Sequence, residues 1–514
     1  MLFNNLTAEL AICKSLPAIF PVSCPRTVPP AAAARSRPLW NPARSERACP
    51  PNTCFHNDSS SPRAGLRHRE YVLYYPNAKM AATYFSLEKF QMINADYFSR
   101  EFQNEFEEAA FRIAEKKQKQ LECSRSGQSP SGKLKKHLPT GGNFTGLFLW
   151  DTAFCVQWAK YAMERFPVTD SLDNFYDLQE EDGFICREYT SDGEAFWSKK
   201  HPVSFAPPLL SWAEVSLHEN GLTGTERLRK VYPSLKKLHE FNRRNWRRPD
   251  GLYFGDALGC GMDDLPRFPV NARYDITDGI KLESSMVCRK GQEYFSLIRD
   301  NPLYQWNRQM GWVDMSSQMA FDALNLSRIA AALEDRKSET AWLEEHRELG
   351  EIINEKCFDE KLGFYFDFYQ GSVIPRFHAG GFWPMFAGIV PPERAEIVAA
   401  ALADPAKFNR KVPFPALAAD DPAFRPETEY WRGSVWPCTN YVALCGLRNI
   451  GREAAAKKYA QRYYAAYAEL YRSTGTIWEN ISPEQYDCPK KVSAPDFCGW
   501  GALVPVTIAR EFLQ

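Results

Sequence analysis

From about Phe85 onward, apolar residues recur every three to four positions through one helix-length stretch after another, while strand-like alternation is rare. The first stretch, running to Cys123, carries Phe90, Ile93, Tyr97, Phe98, Phe102, Phe106, Ala110 and Ile113 among many charges, the pattern of a long amphipathic helix. Further helices are expected at about 150–165, 169–181, 207–219, 225–246, 314–334, 338–356, 393–403, 434–449, 452–472 and 498–513. The junctions between them concentrate Trp, Gly, Pro and Asp. Repeated helix–loop–helix units bury their apolar faces against one another. The expected fold is therefore all-α, an (α/α)6 toroid of about twelve helices whose long loops gather into a pocket at one mouth.

Residues 1–79 read differently. They are rich in Pro, Ala, Arg, Ser and Cys and lack a sustained hydrophobic period, as expected of a disordered or non-native N-terminal extension. The apolar run Leu10–Phe20 is interrupted by Lys14 and Pro17 with no basic residue before it, a poor secretory signal; the basic, acid-poor composition fits a transit segment better. More ordinary sequence begins at Met80, where the natural start is expected, leaving 80–514 as one catalytic domain.

The charge balance narrows the partner. Lys+Arg and Asp+Glu number 63 each, which gives no electrostatic reason to expect nucleic acid or an anionic membrane. The aromatic share of 14% suits a site that stacks the apolar faces of sugar rings, although core packing accounts for aromatics equally well. The 14 cysteines form no CxxC pair and are read mostly as buried or free thiols. No metal or cofactor is expected, because neither a CxxC…CxxC set nor an HExxH helix occurs. No run is long enough for a membrane span; the best, Gly380–Pro391, is broken by Pro384. The expectation is a cytoplasmic protein acting on a small neutral molecule, with its oligomeric state open.

Two carboxylate clusters carry the chemistry. Asp263 and Asp264 lie in Gly261-Met262-Asp263-Asp264-Leu265-Pro266-Arg267, where neighbouring carboxylates and burial should raise one of the two pKa values. Glu479, in Trp478-Glu479-Asn480, follows the turn Ser473–Gly475 and is expected on an irregular segment. Two such acids fit glycoside hydrolysis, in which one carboxyl protonates the leaving oxygen while the other activates water or attacks directly. Around them, Trp150 and Asp151 open a helix, as pocket wall and hydroxyl acceptor or simply as core aromatic and N-cap. Gln179 stands at a helix end, and Asp314 or Ser316 is a natural N-cap. Trp383, Arg432 and Trp436 lie on glycine-containing, proline-stopped loops suited to a sugar platform, and Trp478 flanks Glu479.

Taken in order, LWDTAF (Leu149–Phe154), LQEEDGF (Leu178–Phe184), GMDDLPR (Gly261–Arg267), VDMSSQMA (Val313–Ala320), GFYFD (Gly363–Asp367), YWRGSVWP (Tyr430–Pro437) and WENISPE (Trp478–Glu484) resemble the trehalase and mannosylglycerate hydrolase type of inverting glycoside hydrolases. That six-hairpin group includes glycoside hydrolase family 63 and its processing α-glucosidase. The resemblance implies an (α/α)6 barrel, an α-linked glycoside as substrate, Asp263 as general acid and Glu479 as general base. Inversion would set their carboxyls about 6.5–9.5 Å apart, with room for a water. The departures are local: Gly259-Cys260 replaces Glu-Ser, Leu265 replaces Ser, and Ile481 replaces Tyr. They bear on the surroundings of the acid and on substrate identity more than on reaction class. The alternatives are another toroid sugar enzyme, either a phosphorylase or an epimerase using His201 or His378, and a catalytically silent sugar-binding protein.

Overall fold

In the computed structural model, the described residues are 95–125, 134–142, 144–197, 199, 206–255, 259–267, 308–489 and 492–514. The expected extension 1–79 lies outside them. All belong to one compact unit, Gln91–Gln514. The helices are α1 (Arg100–Arg125), α2 (Leu149–Ala159), α3 (Val168–Asp177), α4 (Leu210–Glu219), α5 (Thr225–Trp246), α6 (Val313–Ala332), α7 (Arg336–Lys356), α8 (Trp383–Phe386), α9 (Pro392–Ala403), α10 (Pro437–Asn449), α11 (Glu453–Thr474) and α12 (Ala509–Phe512). Two-residue strands form small antiparallel sheets at the junctions: β1 (Leu147–Phe148) with β2 (Glu188–Tyr189), and β3 (Met310–Gly311) with β6 (Phe368–Tyr369), which pairs in turn with β7 (Ser372–Val373). A further pair joins β4 (Phe358–Asp359) to β5 (Phe364–Tyr365).

Burial alternates along this series. Every residue of α2 is buried, as are sixteen of the twenty in α6, and α4, α8 and α10 are nearly as enclosed. The intervening α1, α3, α5, α7, α9 and α11 bury only one stripe. This division follows from sequence: α2 reads Leu-Trp-Asp-Thr-Ala-Phe-Cys-Val-Gln-Trp-Ala, apolar all round, whereas α7 reads as an apolar stripe among Glu, Arg and Lys. The enclosed helices pack serially, α2 on α4, α4 on α6, α6 on α8 and α8 on α10; α10 then meets the 3-10 turn Gly501–Leu503, which also packs on α2. The short α6–α7 connection is made by Glu334, in the left-handed region at φ 61°, and by Asp335, whose carboxylate caps α7 by accepting from the Ser338 amide at 3.1 Å.

Several expectations need correction. The first helix begins at Arg100, after a 3-10 turn at Ala95–Tyr97, because the Ser99 hydroxyl accepts from the Phe102 amide; Phe90 and Ile93 lie outside the described residues. The stretch 498–513 is no single α-helix. It is the 3-10 turn followed by a π-helical segment, Val504–Ile508, and only then α12, with Pro505 removing an amide donor from its middle. Neither Asp151 nor Asp314 nor Ser316 is an N-cap: Phe148 precedes α2 and Trp312 precedes α6, without side-chain caps. Asp367 accepts from the first amide of α6, Val313, at 2.9 Å instead, and the Ser316 hydroxyl accepts from the Tyr253 amide. The eight cysteines whose side chains are described are free and buried. Among the described residues no helix is long and apolar enough to cross a membrane.

Candidate active site

The N-terminal ends of the enclosed helices carry Trp150 and Asp151 on α2, Asp314 on α6, Trp383 on α8 and Trp436 just before α10. Six aromatic rings run as a closed circuit through α2, α4, α6 and α8. Trp150 meets Phe154 at 5.0 Å, Phe154 meets Trp212 at 5.3 Å and Trp212 meets Phe321 at 6.2 Å. Phe321 meets Phe386 at 4.6 Å, Phe386 meets Trp383 at 5.4 Å, and Trp383 returns to Trp150 at 5.8 Å. The circuit runs along the inner faces of these helices.

The loop bearing Asp263 lies against this circuit. Gly261 has φ +70°, and a Cβ there would stand 3.0 Å from the Trp150 ring, so close approach and a left-handed turn both require glycine. Asp263 is half-buried while Asp264 is buried, which separates their roles. Asp264 accepts from the backbone amides of Tyr430 and Trp431, and its carbonyl accepts from Arg432 Nε at 3.2 Å. It ties the Asp263 loop to the segment Tyr430–Arg432. Burial raises the pKa of Asp264, opposed by those amides and by Arg432. The loop's far end is anchored by Arg267, fully buried, whose guanidinium bridges Asp314 (2.6 and 2.8 Å) and Asp367 (2.6 and 2.9 Å) and lies 4.1 Å from the centroid of the Trp312 ring. Burial alone would raise Asp367; Arg267 and His378 overcome it and hold the carboxyl well below the usual range.

Glu479 stands on the irregular segment after α11, which ends at Gly475 with φ 71°. Its carbonyl accepts from Trp500 Nε1 at 2.9 Å, and its amide donates to the Ala494 carbonyl at 2.9 Å. One carboxylate oxygen accepts from the Tyr430 hydroxyl, the other from the Ala494 amide at 3.2 Å. Burial pushes this carboxyl up to about 7, against the Tyr430 hydrogen bond. Asp151, also buried, is pushed to about 8 by burial, with its own amide opposing and Glu479, Glu188 and Asp263 adding their charge. The Tyr430 hydroxyl feels both Glu479 and Asp263. Asp151, Asp263, Glu479 and Tyr430 thus share one electrostatic neighbourhood, built from distant parts of the chain. Among the described residues no group of His, Cys, Asp and Glu is arranged to hold a metal.

The other sequence-derived candidates fall at different places. Trp150 and Trp383 belong to the aromatic circuit, and their indole nitrogens, like that of Trp436, have no hydrogen-bond partner among the described residues. Trp436 is buried, stacked on Trp431 at 3.8 Å with Tyr430 edge-on at 4.7 Å. Arg432 is half-buried beside Asp264. Trp478 is half-buried and donates to the Thr474 hydroxyl at 3.1 Å. Gln179 donates to the carbonyls of Gly183 and Ser234, so its amide hydrogens hold a turn against α5 and only its oxygen remains for a ligand. His378 is buried, with Nδ1 accepting from the Gly380 amide and Nε2 facing Asp367; His201 lies outside the described residues. Sequence reading missed Tyr430 as the partner of Glu479, and Glu188, a carboxylate on β2 that meets Trp197 Nε1 at 2.8 Å and contributes to the field at Asp151. The pairing of Phe148 with Glu188 across β1–β2 brings it there.

Comparison with known proteins shows the family. A family model described as a mannosylglycerate hydrolase MGH1-like glycoside hydrolase domain matches residues 146–492. A mannosylglycerate hydrolase from Thermus thermophilus is 31% identical over 365 residues, covering 62% of this chain and 86% of that protein. An uncharacterized protein of Borreliella burgdorferi is 25% identical over 331 residues, covering 63% of this chain but only 61% of the relative's own length. Among solved structures, a GH63 mannosylglycerate hydrolase from Thermus thermophilus in complex with Tris shares the fold with a TM-score of 0.58 at 21% identity, covering 76% of this chain and 99% of that one. A neutral trehalase from Saccharomyces cerevisiae gives 0.53 at 15% identity, covering 72% and 73%. The chain belongs to the mannosylglycerate hydrolase MGH1-like family of glycoside hydrolases.

Proposed function

We propose that this protein is an inverting glycoside hydrolase that cleaves short α-linked mannosides or glucosides, with Asp263 as general acid and Glu479 as general base. The observation that carries this reading is the shared neighbourhood of a buried Glu479 and a more open Asp263, with Tyr430 hydrogen-bonded to the first and sensing the charge of both. In the proposed reaction Asp263 donates its proton to the glycosidic oxygen as the bond from the anomeric carbon to that oxygen breaks. Glu479 takes a proton from the attacking water, which adds from the opposite face and inverts the anomeric centre. Trp150, Trp383 and Trp436 are assigned to the aromatic walls, Asp151 to a sugar hydroxyl, and Arg432, Trp478 and the Gln179 oxygen to the rim. The alternation of enclosed and one-sided helices, and the packing of Gly501–Leu503 back on α2, support closure as an (α/α)6 toroid. A short substrate is supported by the Thermus thermophilus enzyme, whose structures are described in complex with glucose and with Tris and D-glycerate.

The test is NMR of the anomeric proton during incubation with α-glucosides and α-mannosides, including trehalose, kojibiose, nigerose and the two glycosylglycerates. Initial appearance of the β-anomer, abolished by Asp263→Asn and by Glu479→Gln, is the expected result. Full hydrolysis surviving both substitutions refutes the assignment.

A further inference from the structure

Gln318 is fully buried on α6, and neither its amide nitrogen nor its amide oxygen has a hydrogen-bond partner among the described residues. A carboxamide enclosed without partners is destabilising, and a methionine or leucine would fill the same space without that cost. The direction of the side chain follows from helix phase, at about 100° per residue. Gln318 lies one turn from Asp314, which faces Arg267 at the root of the Asp263 loop, and one turn from Phe321, which faces Trp212 and Phe386 in the aromatic circuit. The opposite side of α6 is occupied: Ser316 meets the Tyr253 backbone, and the Ala320 carbonyl meets His346 of α7. On its other flank Asp322, also one turn away, meets Ser211 of α4 and His239 of α5, so Gln318 points between that contact and the interior bounded by the circuit. The indole nitrogens of Trp150 and Trp383, whose rings stand 5.8 Å apart, are also buried without partners among the described residues.

We propose that Gln318 is a specificity-determining residue that recognises two adjacent hydroxyls of the bound sugar ring, its NH2 donating to one and its oxygen accepting from the other. The inference rests on the glycosidase reading and adds a carboxamide contact beside the aromatic circuit. A carboxamide offers one donor and one acceptor side by side, the complement of a vicinal diol. A site built to satisfy such a group rejects analogues lacking the hydroxyl far more strongly than an apolar wall does.

The experiment compares wild type with Gln318→Met, which keeps the volume and removes the amide. Thermal stability of the ligand-free variant is expected to be unchanged or raised. On the best α-glycoside found, kcat/KM is expected to fall about tenfold to a hundredfold, as loss of one or two hydrogen bonds implies. Removing the recognised ring hydroxyl from the substrate is expected to reduce kcat/KM in wild type and to have no further effect in the variant. Equal kcat/KM for variant and wild type, or a uniform loss across all deoxy substrates with a lowered Tm, overturns the proposal. If wild type hydrolyses no glycoside, the glycosidase reading fails separately, and calorimetric binding of glucose and mannose decides. Binding weakened by Gln318→Met sustains the recognition role, and binding unchanged, or absent from wild type, overturns it.

Discussion

Replacing Tyr430 by Phe removes the hydroxyl that donates to Glu479 while keeping the ring that packs edge-on against Trp436. A hydrogen bond to an ionised acceptor contributes about 1.5–3 kcal/mol, and at about 1.36 kcal/mol per unit its loss raises the acceptor's pKa by about one to two units. Burial already places Glu479 at about 7, so the variant's base should titrate at about 8–9. The general-base role proposed for Glu479 fixes the sign. A general base works ionised, so the acidic limb of kcat/KM rises through its pKa, and losing the donor moves that limb toward alkaline pH. At pH 7 the ionised fraction falls from about a half to between about a tenth and a hundredth, a rate loss of about 5- to 50-fold that higher pH restores only over the range in which Asp263 keeps the proton it donates. The assay is kcat/KM against pH from 5 to 10 for both proteins. Any contribution of the Tyr430 hydroxyl to substrate binding lowers the whole curve without displacing it. An acidic limb at the same pH in Tyr430→Phe refutes the claim that this hydroxyl tunes Glu479.

Glu479→Gln should abolish turnover yet stabilise the fold at alkaline pH. A carboxyl raised from 4.5 to about 7 favours the folded state at low pH and loses that contribution as pH rises through 7, so the variant's advantage in denaturant midpoint should grow between pH 5 and 8 toward about 3 kcal/mol and vanish near pH 4; an advantage independent of pH refutes this. Arg267→Leu leaves Asp314 and Asp367 buried without their cation and should cost about 3–5 kcal/mol in urea unfolding, with an unchanged midpoint as the refuting result. Gly261→Ala forces a Cβ onto the Trp150 ring at a positive φ and should lower kcat more than global stability; unaltered kcat would show that the Asp263 loop tolerates displacement.

The helices were legible wherever one face had to be apolar. The expected 225–246 coincides with α5, whose stripe of Leu228, Val231, Tyr232, Leu235 and Leu238 repeats at helical spacing. Fully enclosed segments were harder, because burial on all sides erases the period. The four-residue α8 hides between glycines, and α10 begins at Pro437 because Val435 is still engaged with Ile481 in a β-bridge. Motif residues were legible as carboxylates among aromatics, but their partners were not. Tyr430 and Glu479 are 49 residues apart, and Asp264 reaches the Trp431 amide across 167. Gln318 follows Ser316 and Ser317 in a helix that also carries Asp314, Asp322 and Asn325, so its residue type alone does not set it apart in the sequence.

The return of residues 499–512 onto α2 has a consequence for biosynthesis. Trp158 Nε1 donates to the Gly499 carbonyl across 341 residues, Lys160 pairs with Glu511 across 351, and the Thr507 hydroxyl donates to the Gln157 carbonyl across 350. The same stretch supplies Trp500, which holds the backbone of Glu479. A nascent chain therefore carries α2 with one flank uncovered until the 341 residues from Trp158 to Gly499 have been made, and contacts of such long range form late and slowly. Ribosome-bound chains stopped before Gly499 should be inert and chaperone-dependent, with activity emerging as a step once residues 499–512 clear the exit tunnel.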